Sequence, residues 1–378
     1  MKYINISKLR SAIQVLLVLN LSFLNNESFS QTLNHIFKSG EDGYQCFRIP
    51  AIISSNKKSI LAFAEGRKNN CGDAGNIDLV MKKSDDGGKT WSALTVIWDD
   101  GENTCGNPAP VLDSKTGTIW LLSTWNLGTD HEPQIINGSS KDTRRIYVLS
   151  STDNGSSWSV AKEITSTVKK PEWTWYATGP GNGIQMRSKK YKDRLIIPCD
   201  HIEAISKKYY SHTIYSDDHG KTWLLGGSTN EDMVNECTVA ELPDGKLLLN
   251  MRNYNSLRIR QTATSEDGGI NWSSLKGDTT LIEPVCQASL ISFTVKRKKP
   301  VLAFSNPAST TNRTNMIVRL SYDNGATWPK QYLVYKGPAA YSNLVVLPNG
   351  NLGCFFEAGI KSAYEGIVFE EIPLLEFK

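Results

Sequence analysis

The sequence predicts an all-β protein, a six-bladed β-propeller, and two recurrences carry that expectation. The first is an eight-residue box, Ser-x-Asp-x-Gly-x-(Thr/Ser/Asn)-Trp. It occurs five times, at Ser84 (SDDGGKTW), Ser151 (STDNGSSW), Ser216 (SDDHGKTW), Ser265 (SEDGGINW) and Ser321 (SYDNGATW). The second is a pair of apolar, β-rich runs around a tight polar turn, which occurs six times between the boxes. Trp is scarce, yet half of the ten Trp residues close a box, so the recurrence marks a repeat architecture.

In chain order, the first element is a processing segment. Lys2, Lys8 and Arg10 precede an apolar run from Ala12 to Leu24, and the small residues Ser28 and Ser30 suit cleavage before Gln31. The run is short for a membrane span, so residues 1–30 read as a secretory signal peptide and residues 31–378 as the exported domain, periplasmic or secreted. No Cys follows where a lipid anchor would need one.

The hairpins come next. They are Ile49–Glu65 turning at Asn56-Lys57, Ala109–Trp125 turning near Lys115–Gly117, and Ile184–Cys199 turning near Lys189–Asp193. Thr238–Arg252 turns at Pro243-Asp244-Gly245, Ser289–Ser305 near Lys296–Lys299, and Asn343–Glu357 at Pro348-Asn349-Gly350. Apolar runs bounded by such turn residues are the expected hairpin signal, and no long helical period competes with them. Each of the first five is followed by a box, itself a hairpin turn. Its Ser and Asp side chains bond turn amides, its Gly supplies a positive φ, and its Trp anchors the turn in apolar packing. The boxes are therefore structural.

The sixth hairpin is followed only by a last strand, Gly366–Phe369, as expected if strands from the two chain ends complete one blade. The units are longer than a WD40 repeat and lack its Gly-His…Trp-Asp pattern; a solenoid is the remaining alternative.

Composition narrows the function. The formal net charge is +4, and losing Lys2, Lys8, Arg10 and Glu27 with the signal peptide leaves +2, too little to indicate nucleic acid or an anionic membrane. The runs Lys189-Lys190, Lys207-Lys208 and Lys296–Lys299 read as solvated turns. Seven Cys without a C-x-x-C pair indicate neither a zinc site nor a complete disulfide framework, although Cys71 and Cys105 are candidates to pair in an exported protein. The five His are scattered without metal spacing, and no cofactor is implied.

Topology then selects a face. With strands A to D alternating in direction, the A–B turns and boxes share one face, while A-strand starts, B-strand ends and B–C loops share the other. The A starts carry Arg48, Asn107, Glu236, Gln287 and Tyr341; the B ends and following loops carry Glu65, Arg67, Asp73, Asp200, Arg252, Arg313 and Glu357. Glu236 precedes Arg252 by 16 residues and Tyr341 precedes Glu357 by the same interval, so each pair should sit side by side at one rim. Singly, each residue is more often a surface charge, a loop cap or a satisfied Tyr. Convergence reverses that weighting, and three Arg together suit a carboxylate or phosphate ligand.

Phe47-Arg48-Ile49-Pro50, the five boxes, Glu65-Gly66-Arg67 with Asp73, and Glu236…Leu247-Leu248-Leu249-Asn250-Met251-Arg252 resemble the bacterial exo-α-sialidases (neuraminidases). The resemblance runs from about Phe47 to the C-terminus. It implies that Arg48, Arg252 and Arg313 hold a sialic acid carboxylate and that Glu357 orients the first of them. Arg67 resembles the Arg near the 4-hydroxyl, Asp73 the acid/base in a mobile loop, and Tyr341 and Glu236 the nucleophile and its partner. Asn107 departs from relatives that place Asp there, on the glycerol side. Arg313 is preferred over Arg319 for the third Arg because Arg319 falls in a strand.

These residue types suit that chemistry. Sialic acid carries a carboxylate on its anomeric carbon, which repels an anionic nucleophile, whereas a Tyr hydroxyl is neutral until it reacts. With a pKa of about 10, Tyr needs an adjacent base. The expected partners are sialylated glycans, with no nucleic acid and no membrane span in the exported chain. The rivals are a trans-sialidase and a non-catalytic sialic-acid-binding propeller, the latter having no use for Tyr341–Glu236 or Asp73.

Overall fold

Antiparallel pairing of neighbours in sequence organises almost every strand of the computed structural model, which describes residues 33–295 and 300–378. Residues 1–30, expected to be a signal peptide, and the Lys296–Lys299 run, expected to be a solvated turn, lie outside the described residues.

The first unit pairs Cys46–Ser54, Ile60–Arg67, Ile77–Ser84 and Thr95–Trp98 in order. The next pairs Thr104–Leu112, Ile119–Asn126, Arg145–Ser151 and Lys162–Glu163. In the third, Leu195–Glu203 is followed by Tyr209–Ser216 and Leu224–Ser228, but its inner neighbour is split into Trp173–Thr178 and Ile184–Gln185. Hairpin patterning reached only the second piece. Gly179-Pro180-Gly181 interrupts the run, Pro180 lacking an N–H and both glycines holding positive φ.

Val234–Glu241, Leu247–Asn253, Ile259–Ser265 and Lys276–Ile282 form the fourth unit. Ser289–Thr294, Pro300–Pro307 and Thr314–Ser321 pair onward to the first part of the long strand Lys330–Val346. That strand's second part begins the last unit, followed by Leu352–Ala358 and Gly366–Ile372. The outermost place there is taken by His35–Lys38 from the other end of the chain, with His35 opposite Val368. Two larger sheets arise where units fuse, once through the continuous Lys330–Val346 and once through a single parallel bridge between Ile77 and Thr104.

Apolar side chains fill the spaces between units. Ala51, Leu61, Phe63 and Met81 of the first unit pack on Ile119, Leu121 and Leu149 of the second. Phe37, Val345, Phe355 and Phe369 of the last unit pack on Phe47, Ile52, Ile60 and Val80 of the first, so chain beginning and end share one core. Alternation along each strand explains this, because both faces of each sheet meet a neighbour.

The boxes hold the expected device in atomic form. Ser84 Oγ donates to Asp86 Oδ1 at 2.8 Å and accepts from the Gly88 amide at 2.8 Å, while Asp86 takes the Thr90 amide at 2.9 Å and its hydroxyl at 2.6 Å. The residue before each box glycine also has positive φ, which explains why Gly87, Asn154, His219, Gly268 and Asn324 stand there. At the A–B turn, Ser59 bonds Asp85 of the first box and receives Asn154 of the second, so turns and boxes do share an end.

One expectation is overturned. Cys71 is disulfide-bonded to Cys46, at the start of the first inner strand, and Cys105 is a free thiol buried in Thr104–Leu112. Cys105 points into the apolar space between the first two units, away from the loop that carries Cys71.

Candidate active site

Inner strands reach the site through a repeated irregularity. Each of five inner strands shifts register near its start, between Arg48/Ala51, Gly106/Ala109, Trp173/Tyr176, Val234/Cys237 and Ala339/Ser342. An added residue bends a strand and re-aims its side chains. Ile49 (φ 59) and Asn107 (φ 54) sit in two of these shifts, each followed by a Pro that has no ladder N–H to lose. A β-branched Ile at positive φ is held only where its surroundings fix it, and here the Ile49 amide donates to Glu357 Oε1 at 3.0 Å.

Beyond the bulges a polar cavity of about 250 Å³ opens, lined by Arg48, Arg67, Asp73, Asn107, Glu236, Arg252, Arg313 and Tyr341 among others. Glu357, fully buried beneath it, accepts from Arg48 Nε at 2.6 Å and Nη2 at 3.3 Å, and from the Tyr341 amide at 3.1 Å. Every sequence-derived candidate except Gln287 thus lines the cavity or braces a residue that does. Arg319 lies elsewhere, donating to Asn306 at 3.3 Å. Gln287 braces the backbone of Pro180 and Ser342 rather than facing the cavity.

Tyr341 and its neighbours form a tight cluster. The Tyr341 hydroxyl donates to Glu236 Oε1 at 2.5 Å and accepts from Arg252 Nη1 at 3.0 Å, and that same nitrogen reaches Glu236 Oε2 at 2.7 Å. Burial and the Glu236 charge push the phenol well above its ordinary range, while Arg252 and Arg313 act in the opposite direction. Arg313 reaches only the Tyr364 hydroxyl at 3.0 Å and the Val285 carbonyl at 3.2 Å, and pairs with no carboxylate among the described residues. Arg48 stacks over the Tyr364 ring at 4.2 Å. The guanidiniums of Arg48, Arg252 and Arg313 face one space with donors to spare, an arrangement that accepts a planar anion.

Asp73 occupies the mouth. Its side chain is 62% exposed, 2.8 Å from Arg67 Nη1 and 4.0 Å from Arg48 Nη1. Burial acts to raise this carboxyl, but Arg67 and Arg48 outweigh it and hold it below the usual range. Arg67 is itself fixed by Glu65 at 2.6 Å and by the Cys71 and Gly72 carbonyls, so the Cys46–Cys71 bond ties this loop to the inner strand. Glu65 also accepts the Asn107 amide at 2.8 Å, and the Asn107 side chain takes Arg144 at 2.5 Å.

Arg144, Glu132, Trp175, Tyr254 and Tyr364 complete the walls and escaped sequence reasoning. Arg144 lies flat on Trp175 at 4.0 Å, buried, and flanks a third-unit strand whose run the Gly-Pro-Gly break conceals. Tyr254 alone had a signal, since a position two after Arg252 points to the same side of an extended chain.

Three kinds of likeness to known proteins accompany this geometry. A BNR repeat-like domain profile matches residues 58–354. A sialidase of Bacteroides fragilis is 31% identical over 342 residues, covering 85% of this chain and 62% of that protein. For a Micromonospora viridifaciens sialidase the figures are 31%, 86% and 52%, so the chain spans little more than half the length of these relatives. An exo-alpha-sialidase of Arthroderma benhamiae is 32% identical, covering 75% of this chain and 69% of that one. Among solved structures, the Hadza microbial sialidase Hz136 superposes with TM-score 0.82 at 31% identity, over 91% of this chain and 69% of that one.

Proposed function

The chain belongs to the sialidase family, and from that premise we propose that it is an exo-α-sialidase, a glycoside hydrolase that removes terminal sialic acid from glycans with retention of configuration. The observation that carries the reading is the Tyr341–Glu236–Arg252 cluster beneath three convergent guanidiniums. A binding protein would need the arginines but not a phenol hydrogen-bonded to a carboxylate. The strand units are read as six blades of one propeller, closed by His35–Lys38.

In this mechanism Arg48, Arg252 and Arg313 neutralise the substrate carboxylate and fix the ring, leaving the anomeric carbon above Tyr341. The phenol is far too weak an acid to ionise unaided, so its proton passes to Glu236 as the oxygen attacks. Asp73 donates a proton to the departing glycosidic oxygen, and the bond from anomeric carbon to that oxygen breaks as the bond to Tyr341 forms. Asp73, now a carboxylate, takes a proton from water, which displaces Tyr341 and releases sialic acid; Glu236 returns the proton to the phenolate. A depressed Asp73 suits the second step. An arriving substrate carboxylate offsets the charge of Arg48 and lifts Asp73 towards the protonated form that the first step needs.

Sialic acid release from defined α2-3, α2-6 and α2-8 sialosides, with Tyr341→Phe as control, tests this. Release by the wild type and at least a thousandfold loss in the variant, with unchanged melting, is expected. No release from any linkage, or near-wild-type turnover by Tyr341→Phe, contradicts it.

A further inference from the structure

Asp200 is a buried acidic residue of the cavity wall that the mechanism does not use. It sits in Leu195–Glu203, opposite Ala177 on one side and Ser211 on the other. It is 1% exposed, and neither carboxyl oxygen has a hydrogen-bond partner among the described residues. Every other buried carboxylate of the site, Glu65, Glu236 and Glu357, is matched by at least one Arg and a second donor.

The charges around Asp200 come from four other elements. Glu236 on the next inner strand and Glu132 on the short helix Glu132–Asn137 disfavour its ionisation, while Arg144 and Arg252 favour it. Behind it lie Tyr176, Cys199 and Cys237, all buried and uncharged partners. Arg144 does not answer the need. Its Nη2 is spent on Asn107 at 2.5 Å and Thr124 at 2.9 Å, and no bond to Asp200 forms. Burial, then Glu236, push Asp200 well above the carboxylate range. A buried carboxylate without donors is expensive, and taking up a proton removes most of that cost.

We propose that Asp200 is a neutral carboxylic acid that donates a hydrogen bond to an uncharged oxygen of the bound sugar, a hydroxyl or an amide carbonyl, on the wall that the third unit contributes. This rests on the sialic-acid reading of the site and adds a specificity-determining residue to it. A neutral donor fits an anionic ligand better than a carboxylate, which would add to the negative charge of Glu236 and Glu132. A protonated carboxyl kept for hydrogen-bond donation has precedent in enzyme sites lined by apolar groups.

The test is KM and kcat for an aryl sialoside between pH 5 and 9 in wild type, Asp200→Asn and Asp200→Leu, with the carboxyl carbon of Asp200 followed by NMR in aspartate-labelled protein. Wild-type KM should rise at the alkaline end as Asp200 ionises, with kcat changing less. Asp200→Asn, which keeps a donor but cannot ionise, should raise KM about threefold and abolish that alkaline rise. Asp200→Leu should raise KM tenfold or more. The labelled carboxyl should be protonated at pH 7. A carboxylate signal at pH 7, or an alkaline KM limb that persists in Asp200→Asn, overturns the proposal. If the wild type hydrolyses no sialoside, the functional reading fails instead, and the NMR signal alone then decides whether Asp200 is a neutral donor.

Discussion

Glu357 and Asp73 show how two carboxylates in one site are given different tasks. Glu357 is sealed and receives Arg48 together with the amides of Ile49 and Tyr341, so it sets geometry. Asp73 is exposed, touches two guanidiniums at one oxygen, and sits on a loop tied by Cys46–Cys71, so it is free to exchange protons. Asp73→Asn is expected to slow hydrolysis of a sialyl-lactose by about 10²–10⁴-fold, the usual range for a lost acid/base group. An aryl sialoside, whose leaving group needs little protonation, should be slowed much less in the first step. Equal losses on both substrates would remove Asp73 from the acid role.

Legibility at this scale followed hairpin geometry. The 16-residue intervals placed Glu236 beside Arg252 and Tyr341 beside Glu357, and both pairs are in contact. Trp175 had no such interval, because its unit's inner strand is split and its patterning is lost, and Arg144 lies in a loop just before Arg145–Ser151, outside any inner hairpin. The Cys71–Cys105 expectation failed for a related reason. Proximity of loops in sequence says nothing about which thiol a bulged strand turns outward.

Among elements, the box is a wedge as much as a turn. A Cβ on Gly155 would lie 2.3 Å from Leu61 Cδ2, and one on Gly88 2.2 Å from Phe369, each in the preceding unit. Trp158 meets Phe63 edge-on at 5.8 Å and Trp91 meets Phe369 at 5.5 Å. The box therefore requires glycine twice over, for positive φ (81° at Gly155) and for clearance. Trp158→Ala should cost about 3 kcal/mol and Gly155→Ala more than 1 kcal/mol in denaturant melts. Neither should change kcat by more than about twofold, since the boxes lie at the end remote from Tyr341. A selective loss of kcat with unchanged stability would place the boxes in the catalytic machinery. The boxes were fully legible in the sequence because their chemistry is local. The bulges at the inner-strand starts were not, though Pro50 and Pro108 mark two of them.

For the molecule as a whole, closure and buried polar groups set the working limits. His201 and His212 meet Nδ1 to Nδ1 at 3.0 Å, with Trp173 stacked on His201 at 3.5 Å. Burial drives His201 down to about 3 and His212 well below its usual value. Both folded pKa values lie below the unfolded one of about 6.5, so the unfolded chain binds protons first as pH falls, and stability declines from about pH 6.5 towards 3. Melting temperature should therefore drop between pH 7.5 and 5, and the double variant His201→Phe with His212→Leu should lose most of that slope. An unchanged slope would assign acid sensitivity to other groups. Chemistry joins this scale where strands from five units aim side chains into one polar cavity. The decisive measurement is proton NMR of the sialic acid first released from an α-sialoside, recorded before mutarotation. The α-anomer should appear first, as double displacement at Tyr341 requires; initial release of the β-anomer would contradict Tyr341 as nucleophile.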